Sequence, residues 1–518
     1  MLAILVVSCF ALTACHSCEV SEWTVTKQVT CNENGERQGT CECGKVLTEV
    51  VLSTGHNFTE GYCSLCGDVQ SVGIKYGLSE DGTCYSVYSV GKCEDASIII
   101  ASQYNGLPVT AIDSGAFSGC KTLTSITIPS TITTIGNRAF ASCSNLSNIT
   151  LPSSITKIWD FAFSDCTSLQ SIIIPSSLTT LESSLFSKCT SLTTVTLPES
   201  ITTLKMGVFS GCSALEEITI PSGVTKMDYG VFNNCTNLKK VTLPSAFSYF
   251  TKLFAPDSIS LKDPKYVPAT LTTVVVDGGE SLGASLFAGC ENLQSITIKS
   301  ALKGINYQTF ANCTSLSNLV FEDTSNFDKI EHSAFLNCTS LTSFVVPKGV
   351  TYLGQNAFYG CTNLQSVTFE EGSKLESIET GAFASCGKLV SIDIPEGTKH
   401  IGMQAFLLCE SLYSISLPST LMSIGSYAFS SCKSLLSIAI PENEYLDEIE
   451  NNTFANCTAL VIIEIPTTVK VFHQDVFKNC SGFAIYYKGT EAQWKKVEIA
   501  SSNAELKNAT VNFPQSNG

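Results

Sequence analysis

The chain has 518 residues, of which 44% are hydrophobic and only 15% charged, with a net charge of −16. That acidic balance argues against DNA or RNA as a partner, which asks for a basic stripe, and against an anionic membrane surface. At this length a single compact core is excluded as well, unless the chain grows along one axis by repetition.

Leu2 to Leu12 is an apolar run too short to span a bilayer, and it suits the apolar part of a secretory signal. No Lys or Arg precedes it. Leu12-Thr13-Ala14-Cys15 follows directly and looks like a bacterial lipobox, with Cys15 as the lipidated residue; an ordinary small-residue cleavage site is the alternative. No other apolar stretch is long enough for a membrane span, so contact with a membrane is expected only through a lipid anchor.

Residues 16–70 form a cysteine-rich head. Cys18, Cys31, Cys41, Cys43, His56, Cys63 and Cys66 crowd together, with His16 beside them. Cys41-Glu42-Cys43-Gly44 and Cys63-Ser64-Leu65-Cys66-Gly67 read as two knuckles. Thiolates on tight turns near a histidine are the ligand types that structural zinc takes. Oxidation to structural disulfides in an exported protein is the equal alternative. Gly39 to Lys45 matches a phosphate-loop spacing, but Val46 stands where Ser or Thr is required, and that reading is rejected.

Residues 71–103 read as a β-hairpin cap, with strands at Thr83–Val90 and Ser97–Ala101 and a turn at Gly91. Cys84 and Cys93 are expected either to bridge it or to stay as core thiols.

From residue 104 to 482 one unit recurs. Phe-x-x-Cys occurs fifteen times, first at Cys120 and last at Cys480. The steps are 23 residues, three times 25 and once 55. A period in this range is the signature of a solenoid. In the unit from Cys120, Leu123, Ile126 and Ile128 predict a short strand with one buried face. Pro129 ends it, because it has no N–H to donate. Ile132 and Ile135 form a second apolar piece, Gly136-Asn137 is turn chemistry, and Ala139-Phe140 is expected to return to Cys143 through one helical turn. Stacking buries the apolar face that one unit cannot bury alone.

The motifs Leu-x-x-Ile-x-Ile-Pro, Ile-x-x-Ile and Ala-Phe-x-x-Cys resemble the BspA-like class of leucine-rich repeats. Tyr104 to Ile112 is similar to that family's first coil. The resemblance implies a leucine-rich-repeat solenoid of the α/β horseshoe class: mostly short parallel strands with helical turns, about 23 residues per coil, capped at both ends. It also implies an exported or surface-exposed protein, adhesion, and extracellular or host proteins as partners.

The fifteen cysteines could be thiols in register for metal, or small apolar residues facing the core; inert core residues are the expected case. Strand residues flanking the inward pair, such as Ser125/Thr127, Ser366/Thr368 and Ser414/Ser416, should point outward as a hydroxyl-rich ladder. They could serve glycans or extended proteins, or only suit an exposed strand. The insert 244–270 carries Phe247, Tyr249, Phe250, Phe254 and Tyr266. An insert on a solenoid often marks the binding face, so these aromatics and Tyr413 are binding candidates. The competing expectation is an aromatic plug under an imperfect coil.

Ten Asn-x-Ser/Thr sites occur. Five are Asn-Cys-Thr/Ser inside the repeat, where they are expected to serve the turn. Residues 483–518 are expected to cap the last coil, with a short helix begun by Thr490 and Gln493 at capping-box spacing and a strand at Thr510–Phe513. No histidine lies in a nucleophile motif and no carboxylates are paired by one, so no enzyme is expected. Three functions compete: a protein-interaction or adhesion scaffold, a carbohydrate-binding surface module, and a hydrolase for which no acid, base or nucleophile can be named.

Overall fold

The computed structural model describes residues 24–27, 35–40, 46–51, 58–59, 62–63, 71–244, 250–257 and 263–514. The chain divides into two units, Met1–Leu238 and Lys239–Gly518. Each carries stacked coils built from the repeat, so the array is a parallel-strand leucine-rich-repeat solenoid as expected.

Most coils contribute two short strands to two separate rows; among the described residues, Lys240–Leu243 and Thr273–Val276 have no second strand after them. In the first unit, Ser97–Ile99, Ser125–Thr127 and Asn148–Ile149 pair in parallel as part of one row. Leu107–Ile112, Thr134–Ile135 and Lys157–Ile158 form part of the other. The pairing steps one repeat at a time, Ser125 opposite Asn148 and Ile126 opposite Ile149. Inward residues such as Ile126, Ile128, Ile132 and Ile135 are buried. Where proline follows the strand, as at Pro129, it stops the pairing before the chain turns the corner; where Asp277, Lys299, Glu322 or Glu370 stands there instead, one more N–H joins the neighbouring coil.

The third side of the coil is not helical, which corrects the expected helical turn. Arg138 and Ser142 have φ of 54° and 61°, and left-handed residues recur four apart in coil after coil. They divide the segment into successive tight turns: Ala139 N–H donates to Gly136 O, Ala141 N–H to Arg138 O, and Cys143 N–H to Phe140 O. The remaining amides point along the stack, with Phe140 N–H to Ala162 O at 2.8 Å and Ser142 N–H to Ser164 O at 2.7 Å. A helix would turn these donors inward on itself, whereas the turns leave them free to join neighbouring coils. Asn234, Asn312, Asn337, Asn456 and Asn479 occupy the second left-handed position. Asparagine tolerates that conformation better than most residues, which accounts for Asn-Cys-Thr/Ser in the repeat.

Two ladders fill the interior. In the first unit Phe117 to Phe232 stack with centroids 5.2–6.0 Å apart and planes within 9°. In the second unit Phe287 to Phe477 stack at 4.9–5.7 Å. The cysteines run beside them. Cys143 Sγ–H donates to Phe117 O at 3.0 Å, and the bond repeats from Cys166 to Cys235. It repeats again from Cys313 to Cys480. Burial pushes the thiols of Cys235, Cys313, Cys361 and Cys409 up to about 12. These cysteines are small core residues with one weak donor, not ligands.

The hairpin differs from the expectation. Lys75–Leu78 pairs antiparallel with Tyr85–Ser89 across a turn at Ser79–Cys84. Ser97–Ile99 instead lies parallel to Ser125–Thr127. Ile98 and Ile100 are both wholly buried, so this segment has the same alternation as a repeat strand and joins the row. Cys84 and Cys93 are free thiols. At the other end Thr490 caps Glu491–Trp494 in a capping box, and Thr510–Asn512 pairs parallel with Ala484–Tyr487.

Candidate interaction surface

The first row of strands presents its side chains alternately inward and outward. In the second unit the outward positions Ser366/Thr368, Ser391/Asp393, Ser414/Ser416 and Ser437/Ala439 are exposed, while Val367, Ile392 and Ile438 between them are buried. A further exposed column lies just before the strand, four residues after each repeat cysteine. In the first unit it reads Thr124, Ser147, Gln170, Thr193 and Glu216. In the second it continues through Gln294, Ser317, Thr342 and Gln365, and then changes character to Val390, Tyr413, Leu436 and Val461.

These four residues stand on consecutive coils. Tyr413 N–H donates to Val390 O at 2.8 Å, Leu436 N–H to Tyr413 O at 3.3 Å, and Val461 N–H to Leu436 O at 2.9 Å. Successive side chains therefore sit about one strand spacing apart, roughly 4.8 Å. Val390, Tyr413 and Val461 are 50%, 53% and 53% exposed, and Leu436 is half-buried. The result is a continuous apolar ridge beside a ladder of serines. Scattered exposed apolar residues need no explanation, but a contiguous patch rimmed by polar residues is the usual mark of a contact site.

Of the aromatic binding candidates named from the sequence, the ridge contains Tyr413 alone. Val390, Leu436 and Val461 escape a reading of single repeats. They emerge on reading one column down the aligned repeats, where four apolar residues follow the nine polar ones named above.

The insert behaves otherwise. Phe250 and Phe254 are wholly buried, which removes them as surface contacts. Phe250 N–H donates to Leu286 O at 2.9 Å, the same bond that Phe140 makes to Ala162. Its ring packs on Phe287 at 5.2 Å and on Phe254 at 5.3 Å. The segment is thus a degenerate coil in which Phe250 fills the place of the repeat phenylalanine. Tyr266 is half-buried, with Lys265 Nζ 4.8 Å from its ring centre. Phe247 and Tyr249 lie outside the described residues, as do Cys15, Cys18, Cys31, Cys41, Cys43, His56 and Cys66; Cys63 lies in a short strand whose side chains are not described.

A groove in the second unit is lined by His332, Thr351, Tyr352, Glu376, Ser377 and Glu379. Burial first, and then the Glu331 carboxylate, push the Tyr352 hydroxyl up to about 12. Ser377 Oγ donates to Glu379 at 2.7 Å. This polar network anchors Tyr352 and Ser377 to carboxylates and poises neither as a nucleophile.

The fold and its repeat make this a leucine-rich-repeat solenoid. The chain belongs to the BspA type leucine-rich repeat family, whose six-copy model matches residues 93–212, 162–274, 269–386 and 369–484. No curated protein matches the sequence. Among solved structures, the chain is similar to a leucine-rich repeat protein from Bacteroides ovatus, 25% identical over 82% of this chain and 99% of that one, with a TM-score of 0.41. A leucine rich cell surface protein from Faecalibacterium prausnitzii is 24% identical over 83% and 97%, at 0.29. The pneumococcal vaccine antigen PcpA is 20% identical over 86% and 98%, at 0.31. Among the described residues no helix is long and apolar enough to cross a membrane.

Proposed function

We propose that the chain is an exported or surface-anchored scaffold that binds extracellular or host proteins, and that the ridge Val390–Tyr413–Leu436–Val461 is its main contact. The observation that carries this is the ridge itself: apolar side chains, mostly exposed, on four consecutive coils at a position that is polar on the coils before them. Protein contacts are built around apolar and aromatic anchors within a polar rim, and Tyr413 between two valines and a leucine supplies such an anchor. Export follows from the Leu2–Leu12 run, anchoring from Cys15, and the head is stabilised by zinc or by disulfides. The hairpin at one end and the Glu491–Asn512 segment at the other cap the array. Adhesion is the activity that this combination fits.

Tyr413 beside Ser414 also suits stacking on a sugar ring, which keeps the carbohydrate-binding reading as the second one. The test is to pass the full chain over immobilised extracellular-matrix proteins and polysaccharides. Saturable binding to a protein supports the scaffold reading. Binding to polysaccharide alone replaces it with the second.

A further inference from the structure

The second row of strands holds a separate cluster. Glu448 and Glu450 flank the buried Ile449, so both carboxylates leave the coil on the same side. One coil on, Phe472 pairs with Ile449, and His473 N–H donates to Ile449 O at 2.9 Å. That register sets the imidazole beside both acids. His473 Nε2 lies 2.9 Å from Glu448 Oε2, and ligand atoms of all three residues lie within 4.8 Å of one another.

The same columns elsewhere show what is unusual here. Glu182 is closed by Lys157 and Lys205 on the neighbouring coils, and Glu331 pairs with Lys329. On the coil after Glu450, His473 puts an imidazole at the position where the coil after Glu182 puts the ammonium of Lys205. An ammonium has only donors, whereas imidazole also offers a lone pair. Two carboxylates and one imidazole form a mixed oxygen and nitrogen donor set of the kind divalent first-row cations take. Ligand atoms about 2.1 Å from a tetrahedral ion are about 3.4 Å apart, and the three here already lie within 4.8 Å of one another, so small side-chain movements close the site. Ser426 Oγ donates to Glu450 Oε2 at 3.2 Å and steadies the second carboxylate.

We propose that Glu448, Glu450 and His473 form a surface site for a divalent first-row cation, with Zn²⁺ the best fit. His473 Nε2 and one oxygen from each glutamate bind the ion, and the imidazole carries its proton on Nδ1. His473 remains 36% exposed and Glu448 51%, so the other coordination positions face solvent and take water or a donor from a partner.

The test is calorimetric titration of Zn²⁺ into the full chain, freed of metal beforehand, alongside the variants His473→Ala and Glu448→Gln/Glu450→Gln. Metal taken up by the cysteine-rich head is common to all three and cancels. The expected result is one binding equivalent in the wild type, beyond any uptake common to all three proteins, that weakens at least about tenfold in each variant, with melting in EDTA unchanged. The glutamine variant preserves shape and hydrogen bonding, so its loss reports ligation and not folding. Zinc-edge anomalous scattering from crystals grown with Zn²⁺ should place an ion between the three side chains. Equal uptake by all three proteins, or zinc density elsewhere only, would overturn the proposal.

Discussion

Cys143 Sγ–H donates to the carbonyl oxygen of Phe117 at 3.0 Å, one coil back, and so ties the thiol ladder to the aromatic ladder. Both partners are wholly buried. The thiol has no water to stabilise its anion, and burial pushes it up to about 12. Iodoacetamide at pH 8 should therefore leave Cys143 through Cys480 unlabelled in the native protein. Cys84 should react first among the described thiols, because it is only half-buried and hydrogen bonds from Thr110 and Ser79 pull its thiol down. Mass spectrometry of tryptic peptides reads the order. Rapid native labelling of the array would show that the ladder opens.

The same burial makes stability depend on alkaline pH. In the unfolded chain these thiols ionise near 9, while in the fold Cys235, Cys313, Cys361 and Cys409 hold their protons up to about 12. Above pH 9 the native state binds more protons than the unfolded one, so stability falls as pH rises. The loss is about 1.4 kcal/mol per pH unit for each such cysteine. The urea midpoint should therefore drop between pH 8.5 and 10.5, and replacing Cys313, Cys361 and Cys409 by alanine should flatten the slope. An unchanged slope would assign the pH effect to other groups.

Phe358 lies between Phe335 and Phe383, with centroids at 4.9 and 5.2 Å, and is wholly buried. Phe358→Ala should cost about 3–5 kcal/mol and Phe358→Leu much less, since leucine leaves a smaller cavity. Urea denaturation of the two variants gives the comparison. Equal losses would mean that ring stacking, not volume, dominates.

Asn337 has φ of 56°, and its Nδ2 donates to Asn312 Oδ1 at 2.9 Å. Asn337→Ala should lose about 1–2 kcal/mol from the left-handed backbone alone. Asn337→Gly should lose less, because glycine accepts that conformation and Gly360 already holds the same place in the next coil. A larger loss for glycine would point to the side-chain ladder as the main contribution.

The repeat is legible in the sequence because its strands alternate strictly and its phenylalanine and cysteine fall at one spacing. The inert cysteines follow from the same regularity. The turn segment reads as helical, since Ala139-Phe140 has helix-compatible residues, yet the deciding feature is φ at Arg138 and Ser142, positions where side-chain identity varies widely. The hairpin is misplaced by sequence alone because Ser97–Ile99 is strand-like in either arrangement, and only the partner, Ser125–Thr127, distinguishes them. Phe250 and Phe254 are ambiguous in sequence because an aromatic cluster in an irregular segment serves a plug or a patch equally well; their burial decides it. The ridge around Tyr413 and the Glu448/Glu450/His473 cluster both depend on register between coils, which no single repeat displays.

Protein binding by the ridge is tested most directly by comparing the wild type with Val390→Ser/Tyr413→Ser/Val461→Ser on the panel of matrix proteins and polysaccharides. All three positions are exposed, so stability should be unchanged within about 1 kcal/mol. The expected result is saturable binding of the wild type to a protein component, weakened at least about tenfold in the triple variant. Equal binding by both proteins, or binding to polysaccharide alone, would contradict it.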